Sequence, residues 1–171
     1  MAVGWEDCVG RASAALEAAR AAGLTLGCAE SCTGGLVSGC LTAVPGSSDV
    51  VRGGVVSYAV PVKRDVLGVS PDVIDGPGVV SAACAEQMAE GARRVLSCDV
   101  AVSVTGIAGP GGAEPGKPVG TVWLGLAGPA GTRAECHRFE GDRAAVRLSA
   151  VARAVELLRE GCVEAACEAL G

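Results

Sequence analysis

The sequence predicts an α/β protein, a three-layer α/β/α sandwich around one mixed β-sheet. Three observations carry that reading. Short apolar, β-branched runs alternate with longer amphipathic stretches, the pattern of strands and helices taken in turn. Half of the 171 residues are hydrophobic, ample for the core of one domain. That half is mostly Ala, Val, Leu and Cys, and the aromatics are limited to Trp5, Tyr58, Trp123 and Phe139. A core of small side chains suits helices packed closely onto a sheet.

The elements follow in order. Trp5–Ala22 reads as an amphipathic helix with Trp5, Val9, Ala12 and Leu16 on one face and Gly23 at its end. Leu24–Ala29 is a short buried strand, and Thr33–Val44 a helix closed by Pro45-Gly46. Val50–Ala59 is a second strand, in which the pair Gly53-Gly54 marks a bulge or a close backbone approach. Val62–Leu67 is a short helix, and Gly68–Gly78, with its glycines and prolines, is loop. Ser81–Leu96 is a long helix. Asp99–Thr105, alternating and β-branched, is a buried strand. A Gly- and Pro-rich loop leads to the strand Val119–Ala127, which a turn at Gly128–Gly131 joins to its antiparallel partner Thr132–Phe139. Asp142 caps a last helix running to about Arg159, and Gly161–Gly171 reads as a frayed extension. The domain division expected is therefore a single domain over residues 1–161 with an extension over 162–171.

Charge and cysteine usage narrow the function. The net charge is −5, with no basic run and few aromatics, which disfavours a nucleic-acid partner. No stretch approaches the length of a membrane span, and the charged, helical N-terminus does not read as a signal peptide. Nine cysteines, an odd number without a Cys-x-x-Cys pair, argue against a disulfide framework and against a zinc ribbon. A cytoplasmic protein with reduced, buried cysteines is expected, with no metal and no cofactor.

Two residues invite a chemical explanation. Ser31 stands where the strand Leu24–Ala29 turns into a helix, followed by Cys32, Thr33, Gly34 and Gly35. A hydroxyl there either caps the helix or acts as a nucleophile beside unpaired N–H groups. Cys32 is the thiol nearest to it. Of the 14 basic residues only Lys63 and Lys117 are lysines. Arginine keeps its proton, whereas a desolvated lysine can become neutral near pH 7 and serve as a base. Lys63, five residues after Tyr58, is either that base or a solvated lysine at the start of a helix. The segments Glu30–Gly35, Tyr58–Lys63 and Thr105–Gly112 each follow a predicted strand, the place where ligands gather in open α/β sheets. Thr105 and the glycines of its loop, Gly106, Gly109 and Gly111 among them, form a candidate anion cradle that matches neither a P-loop nor a dinucleotide fingerprint. His137 allows a Ser-His-Asp alternative. Arg143, just after Gly141-Asp142, can clamp an anion or make a surface ion pair.

The segments Ala29–Gly35, Val44-Pro45-Gly46-Ser47-Ser48, Tyr58 with Lys63, Thr105–Gly112, Lys117–Trp123 and Gly141-Asp142-Arg143 together resemble the CinA C-terminal domain family. The likeness runs from about Trp5 to Gly161 and is that of the stand-alone form. Characterised members of the family are nicotinamide-nucleotide amidohydrolases. The resemblance implies deamidation of nicotinamide mononucleotide to nicotinic acid mononucleotide and ammonia, without metal or cofactor. Carried onto this chain, it makes Ser31 the nucleophile and Lys63 its base, with Tyr58 and Thr105 beside them. The substrate contacts it suggests are Glu30, Thr33, Gly34, Gly35, Ser48, Gly106, Gly109, Gly111 and Arg143. Oxyanion donors are expected near Gly34, and the 5′-phosphate on Ser48, Arg143 and the 106–112 loop. Between Tyr58 and Lys63 the family often has polar residues, where this chain has Ala59-Val60-Pro61-Val62. A homo-oligomer, with a dimer favoured, is the expected state. A non-catalytic nucleotide-binding or regulatory module, and a serine hydrolase of another small amide, are the competing readings.

Overall fold

Three parallel strands form the centre of the structure, a computed structural model that describes residues 3–169. They are β1 (Leu26–Glu30), β2 (Val51–Val56) and β3 (Val100–Gly106), with β1 paired in parallel to both of the others. β4 (Thr121–Gly128) runs antiparallel to β3, and β5 (Gly131–Arg138) antiparallel to β4. The strand order β2-β1-β3-β4-β5 makes one mixed sheet. Its helices are α1 (Trp5–Ala22), α2 (Leu36–Thr42), α3 (Val60–Asp65), α4 (Pro71–Asp75), α5 (Ala82–Leu96) and α6 (Arg143–Glu168).

The pleat divides the core in two. Leu26, Cys28, Val100, Val102 and Val104 point to the face covered by α1, α2 and α6, where they meet Leu16, Leu41, Val151 and Val155. Ala29 and Ala101 point to the other face, against Cys84, Met88 and Ala92 of α5. Small residues set how near the layers come: Ala12, Ala15 and Ala19 of α1 and Ala150 and Ala154 of α6 are fully buried. Seven of the nine cysteines are buried and all are free thiols, filling gaps as small hydrophobes do. This is the α/β/α architecture the sequence predicts.

One glycine is dictated by this packing. A Cβ on Gly54 would lie 2.0 Å from Ser38 Oγ and 2.8 Å from Cys28 Sγ. Ser38 Oγ is itself hydrogen-bonded to the Glu30 carboxylate at 2.9 Å, so it is poorly placed to yield. Gly54→Ala is expected to destabilise the fold by about 1–3 kcal/mol, the usual cost of overpacking, read as a lower urea midpoint at unchanged m.

Three predicted elements differ from the observed ones. The helix placed at Thr33 begins only at Leu36, because Gly34 and Gly35 adopt φ of 61° and 102°, left-handed values that a right-handed helix excludes. The predicted loop Gly68–Gly78 contains α4, capped by Ser70, with Pro71 in its first turn, a Ser-Pro start that does favour a helix. The last helix does not fray at Gly161. It continues to Glu168 with Gly161, Cys162 and Ala165 buried, extending the apolar stripe of Val151, Ala154, Val155 and Leu158. A Cβ on Gly161 would sit 2.9 Å from Val100 Cγ1, so that glycine serves close packing on the sheet. Residues 170–171 of the expected extension lie outside the described residues.

Candidate active site

Because β1, β2 and β3 are parallel, their C-terminal ends lie along one edge of the sheet. Glu30, the last residue of β1, pairs with Val56 of β2 on one side and Val104 of β3 on the other. The next residues, Ser31, Ser57 and Thr105, therefore lie side by side, and the 107–120 loop leaves β3 two residues further on. Strand order reverses at β1, with β2 to one side and β3 to the other, and such a switch point opens a crevice at the strand ends.

Ser31 and Lys63 meet in that crevice. Lys63 Nζ lies 2.9 Å from Ser31 Oγ, 2.6 Å from the Ser57 carbonyl and 3.5 Å from the Tyr58 carbonyl. The side chain is 2% exposed, and no carboxylate forms an ion pair with it among the described residues. Burial therefore pushes its pKa below the ordinary lysine value, against weaker opposing effects from Cys84 and Cys32. With two N–H bonds directed to carbonyls, the lone pair of the neutral amine is left for the Ser31 hydroxyl. A lysine so placed can accept the serine proton. Ala59, Val60 and Pro61 are exposed, so the departure from the family's polar residues falls mainly outside this contact.

Ser31 is held by the polypeptide on all sides. Its N–H donates to Val104 O at 2.9 Å and its carbonyl accepts from Gly34 N–H at 3.1 Å. Arg147 of α6, which the sequence reading does not single out, donates from Nε to Cys32 O at 3.1 Å and from Nη2 to Thr33 O at 2.9 Å. Its position one turn after Arg143 is the only signal for it in the sequence. Ser57 was likewise missed: its N–H and Oγ both donate to Glu30 O, at 2.7 and 3.2 Å.

The structure corrects several expected contacts. Glu30 is fully buried, and its carboxylate accepts from the N–H groups of Gly35, Val37 and Ser38 and from Ser38 Oγ. It anchors the entry to α2 and has no free edge for a substrate. The same bonds remove Gly35 N–H, and the Ser31 carbonyl removes Gly34 N–H, as oxyanion donors. Thr105 is 1% exposed, and its hydroxyl donates to Val79 O at 2.6 Å, a bond that ties β3 to the loop before α5. Gly106 is a packing residue, since a Cβ there would come within 2.6 Å of Thr121 O. Ser48 lies before β2 in a 3-10 turn, Ser47–Asp49. The six residues of β2 separate it from the Ser31 edge, a span of roughly 20 Å.

Other predicted residues border the crevice. Thr33 is fully buried and its hydroxyl has no partner. Tyr58 is 63% exposed, and it is its carbonyl, not its phenol, that approaches Lys63. The phenol oxygen instead accepts from Arg143 Nη2 at 3.4 Å, while Arg143 Nη1 donates to Gly109 O at 2.7 Å. Arg143 thus joins the Tyr58 and Gly109 walls of the opening. Gly111 is exposed. Cys32 is buried, its thiol pushed up to about 11 chiefly by burial, so it is not a thiolate at neutral pH. His137 sits on the far strand β5, bonded to Glu135 at 2.7 Å and stacked on Phe139, and cannot join a triad with Ser31. Lys117 donates to Pro77 O at 2.9 Å, which accounts for the second lysine as a strap between loops. A cleft of about 380 Å³ lined by Val119, Arg138, Phe139, Glu140 and Gly141 contains neither Ser31 nor Lys63. Among the described residues, no three His, Cys, Asp or Glu side chains are grouped so as to hold a metal ion.

The model of the CinA C-terminal domain matches residues 10–162. The chain belongs to this family. CinA-like proteins of Myxococcus xanthus and of an Anaeromyxobacter (strain K) are 49% and 51% identical over 151 and 142 residues, 87% and 83% of this chain. The matched regions are only 36% and 34% of those relatives' lengths, so the chain spans about a third of the curated relatives it matches. Solved structures of CinA domains are covered almost entirely. A CinA superfamily protein of Klebsiella pneumoniae superposes with a TM-score of 0.88 at 33% identity, covering 92% of this chain and 98% of that one. The competence/damage inducible protein CihA of Agrobacterium tumefaciens gives 0.86 at 41% identity, covering 92% and 96%. No helix of this CinA domain, among the described residues, is long and apolar enough to cross a membrane.

Proposed function

We propose that this CinA domain is an amidohydrolase that deamidates nicotinamide mononucleotide, with Ser31 as nucleophile and Lys63 as its base. The observation that carries the reading is the 2.9 Å contact between Ser31 Oγ and the desolvated Lys63 Nζ. Lys63 takes the Ser31 proton as Oγ attacks the carboxamide carbon, forming a tetrahedral adduct. The C–N bond then breaks, Lys63 returns the proton to the departing nitrogen, and ammonia leaves. A nicotinoyl ester on Ser31 remains. Water, deprotonated by Lys63, attacks that ester and releases the carboxylate and the free serine.

The opening between Tyr58, Gly109 and Arg143 is the proposed seat of the 5′-phosphate, where a guanidinium suits a phosphate fork. Arg143 would then exchange its long contact with the tyrosine for the anion. A homodimer in the cytoplasm, with a small nucleotide as its partner and no nucleic acid or membrane, completes the proposal.

The test is ammonia release from nicotinamide mononucleotide by the purified wild type, Ser31→Ala and Lys63→Ala, with no added metal. Turnover in the wild type is expected to fall by about 10⁴-fold in each variant. Undiminished turnover in a folded Ser31→Ala protein refutes the mechanism. Thermal stabilisation by the nucleotide without any turnover, retained in Ser31→Ala, would instead mark a nucleotide-binding module.

A further inference from the structure

The turn that carries Ser31 has donors to spare. All three of its first carbonyls are occupied: Ser31 O by Gly34 N–H, Cys32 O by Arg147 Nε, and Thr33 O by Arg147 Nη2 and Leu36 N–H. Gly34 N–H is used by Ser31, and Gly35 N–H by Glu30. The N–H groups of Cys32 and Thr33 donate to no other residue among the described residues. The buried Thr33 hydroxyl is unpartnered as well. Unpaired donors inside a protein are uncommon, and these three belong to the two residues that directly follow Ser31.

Peptide geometry explains how they are aimed. In a trans peptide the N–H points opposite to the preceding C=O. Fixing the Ser31 and Cys32 carbonyls onto Gly34 and Arg147 therefore turns the Cys32 and Thr33 N–H groups away from those partners. We infer that Arg147 is a positioning residue for an oxyanion hole built from the Cys32 and Thr33 N–H groups, holding the turn by the Cys32 and Thr33 carbonyls and polarising the Thr33 N–H through Cys32 O. The inference rests on the Ser31 amidohydrolase reading. A guanidinium on a peptide carbonyl draws electron density toward oxygen and makes the N–H on the same peptide a stronger donor. That matters most when the carboxamide oxygen gains charge in the tetrahedral adduct, so the gain lies in the transition state. Arg147 reaches the reaction only through the backbone.

The test compares the wild type with Arg147→Met and Arg147→Lys, all checked for folding by circular dichroism. With nicotinamide mononucleotide, Arg147→Met is expected to lose about 10²-fold in kcat, with KM within about threefold of wild type. Arg147→Lys recovers part of the loss, since an ammonium keeps the charge but serves one carbonyl well. A second readout needs no substrate. In proton–nitrogen spectra of the free protein, the Thr33 amide proton, which shares its peptide with the Arg147-bound Cys32 carbonyl, moves upfield in Arg147→Met, while Val37 and Ser38, bound to Glu30, hold their positions. A loss borne by KM with kcat retained makes Arg147 a substrate-binding group and overturns the inference. An unmoved Thr33 amide overturns it equally. If the wild type releases no ammonia, the amidohydrolase reading fails by itself, and the amide shifts still decide whether Arg147 polarises this turn.

Discussion

Replacing Lys63 by methionine is expected to abolish turnover and, at neutral pH, to make the folded chain more stable. The ammonium is buried, lacks an ion pair among the described residues, and is disfavoured by desolvation. Methionine has similar length, carries no charge and adapts to irregular space. It forfeits the bond to Ser57 O, which offsets part of the gain and leaves a net of about 1 kcal/mol. The sign with pH follows from linkage. The folded pKa of Lys63 lies below the ordinary value of 10.5. As pH falls from that value toward the depressed one, the unfolded chain takes up a proton that the folded chain does not, and the wild type loses stability. Below the depressed pKa the loss is constant. The advantage of Lys63→Met is therefore larger at neutral pH than near the ordinary lysine value, and shrinks as pH rises toward that value. Urea titrations of both proteins at about pH 7 and pH 10 measure it. A methionine variant less stable than wild type at pH 7, or an advantage that grows with pH, contradicts a strained buried amine. The same group sets the kinetics: kcat/KM of the wild type is expected to climb with pH along one deprotonation and level off below the usual lysine range.

The sequence exposed this pair because both members are chemically conspicuous. A serine at a strand-to-helix turn and a lysine in an arginine-rich chain stand out without coordinates, and the parallel order of β1, β2 and β3 brings their segments to one edge. Hydrogen-bond partners were not legible in the same way. Thr105 was expected beside the reacting groups, yet a buried hydroxyl on a central strand takes the nearest free carbonyl, here Val79 O. The resemblance places Ser48 near the phosphate, but it precedes a strand whose far end bears the site. Arg147 drew no attention because a surface-helix arginine looks the same in sequence whether it faces water or two buried carbonyls. Gly161 misled for a related reason: a helix stop and a close helix–sheet contact both select glycine, and only the position of Val100 tells them apart.

The most damaging single change predicted for this fold is Glu30→Ala. The carboxylate of Glu30 receives the N–H groups of Gly35, Val37 and Ser38 at 2.9, 3.0 and 2.9 Å, together with Ser38 Oγ at 2.9 Å. These are donors that the first turn of a helix leaves unpaired, and the negative charge lies where the helix dipole favours it. Alanine would strand three amides and a hydroxyl around a fully buried position, and water is poorly placed to replace the carboxylate. Losing one buried partner costs about 1–3 kcal/mol, and breaking a buried charged network about 3–5 kcal/mol, so a loss of about 4 kcal/mol is expected. Glu30→Gln keeps the shape but turns an NH₂ toward N–H donors, and should lose about half as much. The consequence reaches the chemistry as well. Gly35 N–H is bound to Glu30 while Gly34 N–H closes on Ser31 O, so the carboxylate fixes the turn from which Ser31 faces Lys63. Glu30→Gln should therefore stay folded while losing turnover through kcat, with the Lys63-dependent rise of the pH profile still present. Urea midpoints give the stability arm and steady-state kinetics the other. If Glu30→Gln retained wild-type kcat, Glu30 would be a support of α2 alone, and the turn would hold Ser31 in register without it.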